Sequence, residues 1–203
     1  NLLDVIVDVE EQSTVTLEFG FTFSGVSDPD DFPVALYAKF QDSNLFGEGK
    51  SASISTTLST SEQSVSLNYG QNWIFNRPIS NSVSFSWSHS TGYDRRNVVQ
   101  PDGTVSDRGT YLEYQKYEIN LTEQIGRRWT PDFAIVSLGG GISSSLINNE
   151  FDDGLYMPVD SIVNDYNHTW EPRNSIFGVF SLDGRDISYD PSKGWFASQR
   201  LTW

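Results

Sequence analysis

Apolar and polar residues alternate with a period of two along most of the chain. Between residues 14 and 23 every odd-numbered position is apolar, while the even-numbered positions are polar or small. This alternation is typical of a β-strand whose two faces meet different surroundings. Similar segments follow at 34–41, 51–58, 65–69, 82–88, 111–125, 133–148, 176–187 and 195–203. The sequence therefore predicts an all-β protein of about nine antiparallel strands and no helix.

The connections between these segments differ in length from one side of the predicted sheet to the other. Links on one side are short, at 46–49, 76–80, 126–132 and 189–194. On the other side the links at 90–108 and 149–173 are long and polar or acidic, although those at 25–32 and 59–63 are short. Short turns at one end and longer loops at the other are typical of an outer-membrane β-barrel.

Tryptophan placement agrees with this interpretation. Trp73, Trp129 and Trp195 lie beside the short turns, and the other three tryptophans fall toward the opposite end. Two aromatic belts are favoured where a barrel wall meets lipid headgroups, because the indole ring is amphipathic. Packing of tryptophan at strand ends is the simpler alternative.

Composition separates a membrane barrel from a soluble one. No run of 18 apolar residues is present, so a membrane-spanning helix is excluded, whereas a transmembrane strand needs only about 9–11 residues. The polar positions are filled mainly by Ser, Thr and Asn rather than Lys and Glu, which suits a wet lumen. We therefore expect a transmembrane β-barrel, and a soluble sandwich or closed soluble barrel is the alternative.

The glycine run 139–141 is expected to set the curvature of the barrel.

Charge and reactive side chains exclude several functions. The formal net charge of -14 argues against a nucleic-acid partner. The chain has no cysteine, which excludes disulfides, thiolate metal sites and cysteine nucleophiles. His89 and His168 are isolated beside loop-like sequence, and the acidic clusters near 28–31 and 152–153 lack the ligand order of a calcium loop. We expect no metal, no cofactor and no enzymatic activity.

Three stretches resemble BamA-like outer-membrane protein assembly factors. Residues 5–10 (VIVDVE) resemble the end of the last periplasmic POTRA domain, and residues 42–49 (DSNLFGEG) resemble the turn between the second and third barrel strands. Near residue 183 an Asp-x-Arg-Asp element is followed by Pro-x-x-Gly. The residues that carry the two turn motifs are Gly47, Gly49, Asp183, Arg185, Asp186, Pro191 and Gly194. The glycines suit tight turns, and Arg185 can pair with Asp183 or Asp186.

The resemblance implies a domain division and a function. Residues 1–12 would end the last POTRA domain, and residues 13–203 would form the N-terminal half of a barrel of about sixteen strands. Such proteins insert client barrel proteins into the outer membrane through a seam at the first strand. Its unpaired backbone groups would receive a client strand. The seam strand is carried here by Val15, Thr16, Leu17, Glu18, Phe19, Gly20, Phe21 and Thr22.

The resemblance also implies partners, and other functions stay open. The partners would be unfolded outer-membrane protein clients, accessory lipoproteins of the assembly machine, outer-membrane lipid and the remaining barrel half of the same protein. A secretion pore of the two-partner type or a small porin-like channel is the alternative function. A complete small barrel of about eight to ten strands is a further alternative, because the aromatic residue at 203 follows an alternating segment.

Overall fold

The computed structural model describes residues 12–23, 34–99, 105–154, 161–187 and 190–203. Nine strands form one sheet in chain order, and every neighbouring pair is antiparallel. They are β1 (Val15–Phe23), β2 (Val34–Leu45), β3 (Lys50–Leu58), β4 (Glu62–Gln71), β5 (Ile79–Val99), β6 (Val105–Trp129), β7 (Ile135–Glu150), β8 (Glu171–Asp183) and β9 (Phe196–Thr202). The prediction of about nine antiparallel strands is confirmed. The prediction of no helix is wrong at one point, because α1 (Ser161–Asp165) forms a single turn between β7 and β8.

Strand register gathers the apolar residues onto one face of the sheet. A row of mutual register partners crosses six strands and consists of Leu17, Phe40, Ile54, Leu67, Phe85 and Leu121. A row on the opposite face consists of Glu18, Lys39, Ser55, Ser66, Ser86, Asn120 and Ser145. Since directly opposed residues of antiparallel strands lie on the same face, the alternation seen in the sequence becomes two chemically distinct surfaces.

The apolar face is not a packed core. Its central row is exposed by between 37% and 60%, and nothing in the described part of the chain covers it. The few buried apolar side chains near the long loops form a separate cluster of Leu112, Phe151 and Val163, with Tyr114 against it. A soluble sandwich would bury this face against a second sheet, so the exposed row favours a surface that meets lipid. Within the described ranges, no helix is both long and apolar enough to cross a membrane.

The two ends of the sheet differ as predicted, with one correction. The short connections and Trp73, Trp129 and Trp195 share one end of the sheet. At the other end the expected loop 90–108 is instead a long hairpin, because β5 continues to Val99 and β6 begins at Val105. Pairing continues through two register shifts. His89 therefore lies inside β5 rather than beside a loop.

The glycine run brings three strands unusually close together. A Cβ added at Gly141 would lie 2.0 Å from the Glu123 carbonyl oxygen and 2.7 Å from Cζ of Phe177. The Phe177 ring is only 2% exposed, and the guanidinium of Arg200 lies over it at 3.8 Å from the ring centroid. Gly141 thus leaves the space in which Phe177 packs between β7 and β9, with a cation–π contact on its outer side.

Gly141→Ala is expected to destabilise the protein by about 1–3 kcal/mol, because the new methyl group meets a backbone oxygen that cannot move independently. Gly178→Ala on β8 is the matched control, since no atom lies within 4 Å of its added Cβ. Urea unfolding in lipid vesicles, followed by tryptophan fluorescence, measures both variants. Equal unfolding midpoints would show that the close approach at Gly141 is not a constraint.

Candidate functional site

The predicted seam strand, β1, is an edge of the sheet. Its nine residues pair with β2 in unbroken register, from Val15 opposite Asp42 to Phe23 opposite Val34. No second strand pairs with it among the described residues. In an antiparallel pair, alternate residues direct their N–H and C=O groups toward the partner and the others direct them away. Among the described residues the outward backbone groups of β1 therefore have no strand partner, and a sheet edge of this kind can pair with an added strand.

The side chains of β1 sort its two faces and offer no reactive group. Leu17, Phe19 and Phe21 project from the apolar face and are 60–73% exposed. On the polar face, Glu18 forms an ion pair with its register partner Lys39, with 3.6 Å between Nζ and Oε1. An exposed pair of this kind contributes little to stability. The chemistry available at this edge is thus hydrogen bonding by the backbone.

Gly20 is the one glycine of the seam strand and lies opposite Tyr37. No atom lies within 4 Å of the position that a Cβ would occupy, so steric crowding does not require a glycine there. A glycine inside a strand weakens it because it has no side chain to pack and loses more conformational freedom on folding. Gly20 is therefore a point of low intrinsic rigidity in an otherwise β-favouring strand.

The turn motif at 42–49 anchors the beginning of β1. The backbone N–H of Ser43 donates to the Thr14 carbonyl at 2.9 Å, and the Ser43 hydroxyl donates to the same oxygen at 3.2 Å. The structure thus connects the predicted seam strand with the turn motif, which are separate features in the sequence. The hydrogen bonds hold the segment just before β1 against the end of β2.

The turn itself is built around Asn44. The Gly49 N–H donates to Oδ1 of Asn44 at 2.7 Å, and the Gly47 N–H donates to the Asn44 carbonyl at 2.8 Å. Both glycines have positive φ, 72° and 67°, the backbone conformation that glycine adopts without strain in a tight turn. Phe46 also has positive φ, 58°, and its side chain is 85% exposed.

The second motif forms the turn between β8 and β9. Arg185 forms a bidentate pair with Asp183, in which Nε and Nη2 each donate to a carboxylate oxygen at 2.8 Å. Of the two partners that the sequence allowed, the structure selects Asp183. The Arg185 guanidinium also lies 4.8 Å from the centroid of the Phe196 ring, so it connects the end of β8 to the start of β9.

Asp186 has a different role in the same turn. Its Oδ1 accepts hydrogen bonds from the N–H groups of Ile187, Ser192 and Lys193, and its Oδ2 accepts one from the Ser192 hydroxyl at 2.6 Å. The Ser192 hydroxyl bond and these N–H donors lower the pKa of Asp186, since they favour the carboxylate. Pro191 lies within the turn, and Gly194 closes it with φ of 112°.

The two motifs are not brought together into one site. The 42–49 turn joins β2 to β3, whereas the second turn joins β8 to β9, so four strands, β4 to β7, lie between them within the sheet. In the described ranges, no group of three or more His, Asp or Glu side chains is arranged to hold a metal. Sequence reasoning missed the contact of Phe177 with Arg200 and the surroundings of His89, because both depend on register between strands that the sequence pattern does not supply.

The exposed apolar face, the polar opposite face and the turns at one end define a class, the wall of an antiparallel transmembrane β-barrel. The chain belongs to the Omp85 superfamily, whose domain matches residues 44–203. This membership and the relative described next locate the chain in the outer membrane.

Two comparisons refine this assignment. A putative outer membrane protein assembly factor of Treponema pallidum (strain Nichols) is 32% identical over 217 residues, which cover 100% of this chain and 26% of that protein. The chain thus spans about a quarter of the length of this relative. The crystal structure of BamA from Haemophilus ducreyi lacking POTRA domains 1–3 has a similar fold, with a TM-score of 0.52 and 14% identity. That match covers 95% of this chain and 34% of the BamA chain.

The BamA-like resemblance of the barrel part is therefore confirmed. Residues 1–11 lie outside the described residues, so the POTRA assignment of 1–12 stays a prediction, as does the total of about sixteen strands.

The turn after β8 is expected to loosen in acid. Because the folded pKa of Asp186 is below its ordinary value of 3.8, the carboxylate stabilises the turn at neutral pH and this contribution is lost as pH falls through the folded pKa. Hydrogen exchange of the Ser192 and Lys193 amides, corrected for the intrinsic rate, should show protection at pH 7 that declines in strong acid.

Two variants provide the comparison for this experiment. Asp186→Ala should remove the protection at both pH values. Asp190→Ala should retain the normal pH dependence, since Asp190 has no hydrogen-bond partner among the described residues. Protection that survives in Asp186→Ala would contradict the role assigned to this carboxylate.

Proposed function

We propose that this chain is the part of an outer-membrane protein assembly factor that contains the first barrel strand, and that this strand receives a strand of the client protein. Membership of the Omp85 superfamily and the name of the Treponema relative support assembly as the function. The position of β1 at an edge of the sheet, with no strand on its outer side among the described residues, is the observation that carries the finer proposal. The mechanism requires no catalytic side chain, because hydrogen bonding by the backbone is sufficient.

The proposed addition has a defined chemistry. A client strand that pairs with β1 gains hydrogen bonds from its outward N–H and C=O groups, which is valuable where lipid offers no alternative partner. An alternating client strand would place its apolar residues beside Leu17, Phe19 and Phe21 and its polar residues beside Glu18. A shift of one residue would reverse both faces. The faces of β1 therefore select the register of the incoming strand without recognising a particular sequence.

The opposite edge has a different proposed partner. Strand β9 pairs only with β8 in the described part of the chain, and all seven of its residues are exposed. We expect the next strand of the remaining barrel half to pair there, in agreement with the share of the BamA chain that this chain covers. Outer-membrane lipid would cover the apolar face. Accessory lipoproteins, implied by the resemblance, stay a prediction.

Site-specific crosslinking tests the proposed strand addition. Gly20→Cys in the full-length protein, at a position where the added side chain meets no atom within 4 Å, should form a disulfide with a cysteine in the terminal strand of a client stalled during assembly. Ser66→Cys is the matched control. Its strand, β4, carries the same polar face but is paired on both sides, with β3 and β5.

The outcomes separate the proposals. An adduct at Gly20→Cys and none at Ser66→Cys supports strand addition at β1. No adduct at either position, while clients still assemble, would reject the role of β1 but leave the assembly function intact. Steady ion conductance by the purified protein together with normal client assembly in its absence would favour the alternative of a secretion pore or porin-like channel.

A further inference from the structure

His89 lies at the centre of a contact that joins three strands near the long-loop end. Its register partners are Gln63 on β4 and Tyr117 on β6. Nδ1 lies 2.5 Å from Oε1 of Gln63, and Nε2 lies 2.7 Å from Oε1 of Gln115. The imidazole ring also stacks on Tyr117, with 4.5 Å between centroids and 13° between the planes. Both ring nitrogens of His89 thus face amide oxygens.

Gln63 cannot easily reverse its amide. Its Nε2 donates to the Ser59 carbonyl at 2.8 Å, and this acceptor would be lost if the amide turned over. Oε1 of Gln63 is therefore fixed as an acceptor toward His89, which requires a hydrogen on Nδ1. The tautomer of a neutral His89 is set by this contact, because a neutral imidazole has a single N–H.

The second contact then depends on a proton. In neutral His89 with its hydrogen on Nδ1, Nε2 carries a lone pair and would oppose the lone pairs of Gln115 Oε1. In the imidazolium both nitrogens are donors, and Nε2–H donates to Gln115 in the observed arrangement. A neutral ring needs the Gln115 amide to turn over so that its nitrogen donates instead. No described residue holds Gln115 in one orientation as Ser59 holds Gln63.

Charged side chains lie near His89 on both faces of the sheet. On β6, Glu113 lies on the same face as Gln115 and Tyr117, and on β7 the register partner of Gln115 is Glu150. Toward β4, Glu62 is paired with Ser90 and so lies on the other face, as do Lys116 and Glu118 on β6. The described charged side chains that share the His89 face near it are thus carboxylates.

We propose that His89 and Gln115 form a proton-dependent clamp between β4, β5 and β6 at the long-loop end of the barrel wall. With both ring nitrogens protonated, one imidazolium bridges Gln63 and Gln115. When the ring loses the Nε2 proton, the bond to Gln63 remains and the Gln115 amide reverses. The device is separate from the proposed assembly function, since it needs neither β1 nor a client.

The proposed clamp lies close to the start of the β7–β8 loop. Reversal of the Gln115 amide turns its oxygen away from His89, and the register partner of Gln115 on β7 is Glu150. Glu150 ends β7 and precedes the buried Phe151, which anchors the loop to the Leu112 and Val163 cluster. Histidine is the side chain whose unperturbed charge change falls between about pH 5 and 8. The proposed clamp thus lies in register with the base of the β7–β8 loop, where it would respond to the local acidity.

Nitrogen-15 spectra of ring-labelled histidine in the full-length protein, held in lipid nanodiscs, test the clamp. Loss of signals in His89→Asn identifies the resonances of His89. At pH 8 the neutral ring should carry its hydrogen on Nδ1, and at pH 5 both nitrogens should be protonated. Gln63→Leu should move the neutral hydrogen to Nε2. Gln115→Leu should keep it on Nδ1 but weaken proton binding to the ring roughly ten-fold, about 1.4 kcal/mol.

A matched control and a second measurement keep the result decisive. Gln199→Leu, at an exposed position on β9, should leave both the tautomer and the proton binding of His89 unchanged. Heat-modified mobility on gels reports whether each variant still forms a folded barrel. A neutral His89 with its hydrogen on Nε2 in the wild type would overturn the assignment, as would unchanged proton binding in a folded Gln115→Leu protein.

Discussion

Every backbone N–H and C=O group that enters the apolar part of a membrane must find its partner inside the protein, because lipid offers none. Strands β2 to β8 each have an antiparallel partner on both sides. Strands β1 and β9 have a partner on one side only in the described chain. The same constraint therefore explains the regular interior of the sheet and gives its two edges their proposed roles.

Register follows from the second constraint, which is that the two faces meet different media. A shift of one residue in any pair would move the apolar row from Leu17 to Leu121 onto the polar side. The alternation is consequently strong in the sequence wherever a strand faces lipid, and β1 was predicted within one residue of its observed start. The segment 90–108 was predicted wrongly because the requirement for one apolar face no longer holds there. Along the long hairpin, β5 and β6 continue to pair although neither face needs to be apolar.

For the candidate site, the sequence predicted the backbone geometry of the turns but not the partners of individual side chains. Positive φ at Gly47 and Gly49 follows from the turn that the motif requires, and the structure shows it. The choice between Asp183 and Asp186 as the partner of Arg185 did not follow, since both carboxylates lie within reach in the sequence. The contacts of Phe177 and His89 were also beyond prediction. Each joins strands whose relative register is fixed by the whole sheet, and no local spacing records it.

The proposed strand addition and the proposed clamp place different demands on side chains. A strand that templates through its backbone would need only sorted faces, and β1 has two sorted faces, no constellation of reactive groups and a glycine at position 20. A proton-dependent contact needs particular donors and acceptors, and His89 has them because Ser59 fixes the orientation of Gln63. The edge of the sheet is thus suited to many partner sequences, whereas the interior of the wall contains the residue-specific chemistry. Three strands, β2 to β4, separate β1 from His89 on β5, so a change at one does not require a change at the other.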